Sequence, residues 1–396
     1  MEKCILIVGA GFGQLPAIET AKSLGVQTIV VDKNPNAVGA KIADVFYEID
    51  ILDKVAVLSV AKKHKISGIM TMQSDLPVPT IGYVNDALNL TGVTLEVASH
   101  CSNKMEMRKR LAGKSAAQPH FEIITTLKEA EETADKIGYP CVFKAPDSSG
   151  SRGITKVNSK EEIKVAYNEA FKYSRQESIL IEEFIEGLEF GAQTFSLDGN
   201  CISVLLHGDT MSPPPYMIPI GHSFPFELLN EHEKSLAIKD IKDAVTALGI
   251  TNGPSNVDLI LDKNTKRVKI IEIGARIGAT CLPELVFYHT GIDWVKNTIL
   301  NAIGEEIDLD IKHNKSVAAL IIESPMDGTY DSYEFLDSES EKSILEFEIS
   351  VKKGDLVSLL RKGTDRIGKI ILYGIDAAAA ESRVLEVRNS IIIKVS

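Results

Sequence analysis

Val142-Phe143-Lys144-Ala145-Pro146-Asp147-Ser148-Ser149-Gly150-Ser151-Arg152-Gly153-Ile154 is an apolar strand that ends in a lysine and runs into a turn of small residues. Backbone amides in such a turn can point inward as a nest for anionic oxygens, and Gly150 and Gly153 let the main chain approach a ligand closely. Lys144 places a compact positive charge beside them. By itself the stretch is equally compatible with an ordinary surface turn, so its meaning depends on what flanks it.

Two capping-box patterns, Thr126 with Glu129 and Ser159 with Glu162, each precede helical periodicity. They predict the order helix, strand, glycine turn, strand, helix from about Thr126 to Tyr173. Downstream the alternation gives way to antiparallel strands: Ser178–Phe184, a second strand through Leu197, a turn at Asp198–Asn200 and a third strand over Cys201–His207. The proline-rich stretch Met211–Pro219 then interrupts regular structure before Gly221–Pro225, as a rigid surface loop or a substrate-contacting one.

Glu231–Leu248 has helical periodicity, and two apolar strands follow, Ser255–Leu261 and Val268–Ile273, joined by the polar turn Asp262–Arg267. A hairpin symmetric about Thr265 sets Asp258 directly opposite Glu272 on one face. Like charges so placed are unfavourable unless neutralised, and a divalent cation does that well. A register one residue away, or nearby lysines, would remove the need for a cation. Arg276 follows four residues after Glu272.

Toward the N-terminus, strands at Cys4–Val8, Gln27–Asp32 and Gly68–Thr71 alternate with helices at Leu15–Leu24 and Lys54–His64, the pattern of a parallel sheet with covered faces. Gly9-Ala10-Gly11-Phe12-Gly13-Gln14, with Asp32 closing the second strand, is close to a dinucleotide fingerprint, but Gln14 replaces its last glycine. Two helical pieces are expected between Leu95 and Leu111, with Lys104 near the start of the second. The C-terminal part reads as short strands at Ser316–Glu323, Ile344–Val351 and Lys369–Gly374, a hairpin connection at Gly363–Gly368, a helix over Ala377–Arg388 capped by Asp376, and a last strand at Ser390–Val395.

At 396 residues the chain exceeds one ordinary core. Its 44% apolar and 25% charged content is that of a globular protein, and no run approaches the roughly 18 apolar residues of a membrane span. The apolar run at Met1–Val8 is short and leads into a glycine turn, so no leader is expected. Five dispersed cysteines without zinc spacing suit reduced thiols in a cytoplasmic setting. A net charge of −12 argues against nucleic acid as a partner, so any phosphate site must be local.

Taken in order, these features resemble the ATP-grasp superfamily, and within it the carboxylate-amine ligases typified by L-amino acid (dipeptide) ligases. The resemblance implies an α/β N-terminal domain with a parallel sheet over residues 1–103, an α+β ATP-grasp domain over 104–309 and a β-rich α+β C-terminal domain over 310–396. It also implies roles. Lys104 and Lys144 match the lysines on the nucleotide phosphates, and Ser148, Ser149, Gly150, Ser151 and Gly153 match the loop that closes over them. Glu182, Glu183, Phe184 and Ile185 match the segment that reads adenine, largely through main-chain groups, and Glu189 the acidic contact to ribose. Asp258 and Glu272 match the ligands of Mg2+ or Mn2+, and Arg276 the arginine that steadies transferred phosphate and substrate. His222 falls in a substrate-facing segment. One departure stands out: the family often has asparagine two residues after the metal glutamate, where this chain has Gly274.

The implied reaction joins a small carboxylate, such as an amino acid, to an amine through an acyl phosphate at the expense of ATP, and the resemblance implies a homodimer. Three rivals follow from the same residues. One is another ATP-grasp reaction, a carboxylation or a purine-pathway formyl or carboxy transfer, although no biotinylation-type Met-Lys-Met segment is present. A second is an ATP-binding protein without turnover. The third is a dinucleotide oxidoreductase built on the broken glycine fingerprint.

Overall fold

Cys4–Val8 (β1) has no polar side chain and is buried throughout, which demands cover on both faces. It pairs in parallel within a sheet of Gln27–Asp32 (β2), Val45–Glu48 (β3) and Gly68–Met70 (β4), in the order β3-β2-β1-β4. Leu15–Ser23 (α1), Lys54–His64 (α2) and Val78–Leu88 (α3) are the accompanying helices. The computed structural model describes residues 3–114, 117–148, 153–213, 216, 218–336 and 342–396.

Gln14 turns out to plug the glycine turn. Its Oε1 accepts from Gly11 N at 3.1 Å while its Nε2 donates to Met72 O at 2.7 Å, and a Cβ on Gly9 would stand 3.0 Å from the same amide oxygen. Asp32 accepts from Ala10 N at 2.9 Å. The amides and the carboxylate that a dinucleotide would need are thus satisfied by the chain itself, which disfavours the oxidoreductase alternative.

Leu95–Ser102 (α4) and Lys104–Leu111 (α5) are split by Asn103, whose side chain caps the second helix by accepting from Met105 N and Glu106 N. Phe121–Ile124 (β5), Leu127–Ile137 (α6), Cys141–Lys144 (β6), Ile154–Val157 (β7), Ile163–Tyr173 (α7) and Ile179–Glu183 (β8) form the helix and strand unit expected around the lysine strand. Its sheet is antiparallel, ordered β5-β8-β6-β7. Thr126 forms its capping box with Glu129. Ser159 does not: a 3₁₀ turn at Lys160–Glu162 precedes α7, and Ser159 makes no side-chain cap.

The chain continues through Gly187–Leu197 (β9), Asn200–Met211 (β10), Pro219–Phe224 (β11), Glu231–Leu248 (α8), Gly253–Asp262 (β12) and Val268–Gly274 (β13). Leu282–Thr290 (α9) and Trp294–Ala302 (α10) follow. Ser316–Ile322 (β14), Gly328–Phe335 (β15), Glu346–Ile349 (β16), Leu356–Val357 (β17), Gly368–Gly374 (β18), Ala377–Asn389 (α11) and Ile391–Val395 (β19) complete it. Contacts gather into two compact units, Met1–Val204 with Asn230–Gly278 and Trp294–Leu309, and Leu205–Leu229 with Ala279–Asp293 and Asp310–Ser396.

In the second unit β11 pairs with β10 and β14, β14 with β18 and β18 with β16, and α11 packs Ala380, Val384 and Val387 onto Ala318, Leu320, Ile370 and Leu372. A smaller sheet has the order β17-β15-β19. Because β17 pairs with β15, the stretch Gly363–Gly368 carries the chain between two sheets and is not the hairpin connection expected. Among the described residues, no helix is long and apolar enough to cross a membrane. All five cysteines are buried and free, and burial raises every thiol, Cys4, Cys141 and Cys201 to about 11.

Strand β4 opens on Gly68, where a Cβ would stand 2.3 Å from Ala302 O. Backbone cannot yield there as a flexible side chain would. Gly68→Ala is expected to lower stability by about 1–3 kcal/mol, read by urea denaturation.

Candidate active site

Alternation along two strands places the first charges. Cys141 and Phe143 of β6 and Ile179 and Ile181 of β8 enter the core under α6 and α7, so Lys144 and Glu182 share the opposite face. Lys144 lies opposite Leu180 and Val142 opposite Glu182, which makes Lys144 and Glu182 a diagonal cross-strand pair. Their contact is Nζ to Oε2 at 2.5 Å.

The other carboxylate oxygen of Glu182 accepts from Arg108 Nε at 2.6 Å. Arg108 was not singled out from the sequence. Its signal was present, since it stands four residues after Lys104 on α5 and so shares that helix face. Lys104, Arg108, Lys144 and Glu182 are 5%, 0%, 7% and 1% exposed, so no water shell carries these charges. Burial opposes ionisation of Glu182, yet Arg108 and then Lys144 hold its carboxyl at about 2. Burial likewise pushes the Lys144 ammonium below the usual lysine range despite Glu182, with Arg108 and Lys104 adding to the effect.

Lys104 Nζ donates to Glu272 Oε1 at 3.0 Å and to Ser148 O at 2.9 Å. Its helix is tied to the lysine strand, because Lys104 N donates to Pro146 O at 2.8 Å. Glu272 sits directly opposite Asp258, as expected, but by another route. The hairpin pairs Leu261 with Val268 and Leu259 with Ile270, and a β-bulge at Ile271 then restores Asp258 to Glu272. The bulge carbonyl, Ile271 O, accepts from Arg108 Nη2 at 2.9 Å.

Asp258 is steadied from the side. Asn256 Nδ2 donates to Asp258 Oδ1 at 2.9 Å, Gln193 Nε2 to Asn256 Oδ1 at 2.6 Å, and Gly278 N to Gln193 Oε1 at 3.1 Å. Arg276 is held by Asp75, which accepts from Nη2 at 2.8 Å. Burial opposes the Arg276 charge, and Asp75, with Asp258 and Glu272 behind it, more than offsets this and raises its pKa.

Asp75 is a second residue that sequence alone missed. At Gly274, the position where asparagine was expected, a Cβ would stand 2.6 Å from Asp75 Oδ1. That oxygen is buried and, among the described residues, has no hydrogen-bond partner. The space beside Gly274 therefore already holds a carboxylate.

The remaining sites divide. Gly153 has φ +67° and is packed against Ala145 and Tyr173, whereas Ser149, Gly150 and Ser151 lie outside the described residues. Glu183 N and Phe184 N already donate to His120 O at 2.9 Å and Pro140 O at 3.3 Å, Ile185 is buried, and Glu189 is exposed on β9. Lys156 Nζ stands 3.7 Å from the centre of the Phe184 ring. His222 belongs to the second unit, on β11.

A family model, the ATP binding domain of the carbamoyl-phosphate synthase L chain, matches residues 102–310, the span that carries Lys104, Lys144, Glu182, Asp258, Glu272 and Arg276 but not Asp75. The chain belongs to this family and has the three-domain ATP-grasp architecture of ATP-dependent ligases. A formate-dependent phosphoribosylglycinamide formyltransferase from Ignicoccus hospitalis is 30% identical over 311 residues, 72% of this chain and 71% of that relative. Phosphoribosylglycinamide synthetase from Anaerococcus prevotii superposes with a TM-score of 0.85 at 28% identity, covering 100% of both chains. L-amino acid ligase from Bacillus licheniformis superposes at 0.83 with 22% identity over 100% of this chain and 99% of that one, a likeness of fold alone. The chain spans 68%, 57% and 29% of the length of three other curated relatives that it matches. ATP and magnesium are the ligands typical of this family.

Removing the shared carboxylate would leave Arg108 and Lys144 buried side by side. Glu182→Gln is expected to cost about 3–5 kcal/mol in chemical denaturation. Glu183→Gln, on a partly exposed side chain, should stay within about 1 kcal/mol.

Proposed function

We propose that the protein is an ADP-forming carboxylate-amine ligase that proceeds through an acyl phosphate. The observation that carries the proposal is the set of three cations, the buried Lys104 and Lys144 and the partly buried Arg276, each held by a carboxylate within one unit beside the opposed pair Asp258 and Glu272. Such cations suit phosphate oxygens, because their charge is already desolvated and oriented.

The residues present fit a magnesium ion. Asp258 and Glu272 face each other as like charges, Asp258 is exposed, and the orphaned Asp75 Oδ1 marks further carboxylate density by Gly274. Asp258 and Glu272 would hold the ion, which would supply positive charge to the phosphate oxygens. Lys144 and Lys104 would bind the phosphates, with the glycine turn from Ser148 to Gly153 closing over them and the main chain near Ile185 meeting adenine. Glu189 would meet the ribose.

In the first step a substrate carboxylate oxygen bonds to the γ-phosphorus as the bond to ADP breaks. In the second, an amine nitrogen bonds to the acyl carbon, phosphate leaves with the acyl oxygen bond, and the nitrogen gives up a proton. Arg276 would stabilise the charge gathered on oxygen in both steps, and Asp75 would hold its guanidinium in place. The formate-dependent relative makes a very small carboxylate a serious candidate substrate, and a homodimer is proposed from resemblance to the family.

Lys144→Ala and Glu272→Gln are each expected to abolish ADP release, assayed with amino acids, formate and bicarbonate against a panel of amines, while circular dichroism shows both variants folded at the assay temperature. Wild-type turnover in either variant would overturn the assignment. A second expectation concerns protons. Lys144 starts with a lowered pKa that an anionic phosphate would raise, so nucleotide binding should take up protons at alkaline pH and none at low pH, where the lysine is already charged. Calorimetry in buffers of differing ionisation enthalpy should show this uptake in the wild type and its loss in Lys144→Met.

A further inference from the structure

Three metal-ligating side chains converge in the second unit, well defined by strand register. Asp209 of β10 pairs directly with His222 of β11, and His207 lies two residues before Asp209, so all three project from one face of the pair. His207 Nδ1 stands 2.9 Å and His222 Nδ1 2.7 Å from the same oxygen, Asp209 Oδ1, and the ligand atoms of all three lie within 4.8 Å of one another. Both imidazoles are buried, at 1% and 6% exposure, while the Asp209 side chain keeps 17%. The rings meet edge to face with centroids 5.0 Å apart, and Phe224 lies 5.5 Å from His207 and stacks on His289 at 5.2 Å.

We propose that His207, Asp209 and His222 form a binding site for one divalent transition-metal ion, of the zinc, iron or cobalt type, distinct from the Asp258 and Glu272 pair. Two imidazoles and one carboxylate are a borderline-soft donor set, which favours such ions over magnesium. Ligands about 2.1 Å from an ion and at right angles to one another are about 3 Å apart; the two nitrogen-to-oxygen separations, 2.9 and 2.7 Å, are within a few tenths of an ångström of that, and the two nitrogens lie within 4.8 Å of each other. Tetrahedral placement would need about 3.4 Å and a larger shift. On binding, the ion takes up the two Nδ1 lone pairs and the Asp209 oxygen in place of the hydrogen bonds between them, and each neutral ring keeps its one proton on Nε2. The partly exposed flank of Asp209 supplies a way in, and the buried aromatic wall excludes water from the other sides. The remaining positions suit water or a small anionic or amine ligand.

This site stands apart from the ligase proposal, and its test does not use turnover. The full chain, stripped with chelator and then saturated with magnesium to fill oxygen-rich sites, is titrated with zinc by calorimetry. One equivalent is expected to bind in the wild type, at least about 100-fold more weakly in His207→Gln and Asp209→Asn. Circular dichroism and melting, measured in parallel, report whether the variants remain folded. Should either variant unfold, X-ray absorption of the zinc-loaded wild type decides: two imidazole scatterers and no sulfur are expected. Absence of stoichiometric binding, equal binding in the variants, or sulfur in the coordination shell would overturn the site and leave a hydrogen-bonded histidine pair.

Discussion

Glu182 is a carboxylate with almost no exposure that two cations share, and the candidate active site hangs from it. Its oxygens bind Lys144 from the neighbouring strand and Arg108 from α5. A lone buried charge of this kind would be prohibitive, so helix and sheet must come together in one arrangement for any of the three to be tolerated. That arrangement leaves one carboxylate between two cations. The surplus positive charge, with Lys104 close by, makes Lys144 a ready partner for an anion.

The same helix reaches the acidic hairpin. Lys104 binds Glu272, while Arg108 reaches the carbonyl of the bulge that brings Glu272 opposite Asp258. A single turn of α5 therefore supports both the phosphate-binding strand and the proposed metal carboxylates, through residues four apart. Gln193 and Asn256 support Asp258 from the other side, so the orientation of the acidic pair is set by residues that would touch neither nucleotide nor substrate.

Gly274 shows how a departure from family pattern can be absorbed. Taken alone, glycine in place of the family's asparagine leaves out a side chain two residues after the metal glutamate. The carboxylate of Asp75, two hundred residues earlier in the chain, occupies the adjoining space and holds Arg276. A side chain on residue 274 and this carboxylate would compete for one volume, so a change at either position calls for a compensating change at the other.

The sequence by itself determined the strand and helix order, because periodicity is local: β1, α2, α8 and both strands of the acidic hairpin fall where their apolar patterns put them. It also singled out Lys104, Lys144, Asp258 and Glu272, whose residue types and order carry the resemblance to ATP-grasp ligases. It did not reveal β15, whose Gly328–Phe335 stretch lacks clean alternation, nor the bulge at Ile271, since one extra residue in a strand leaves no mark in composition. Only the tertiary structure decided which charges pair. Arg108 with Glu182 and Asp75 with Arg276 are each chosen by desolvation after distant segments pack, and a buried charge selects its partner by proximity in space, which spacing along the chain does not encode.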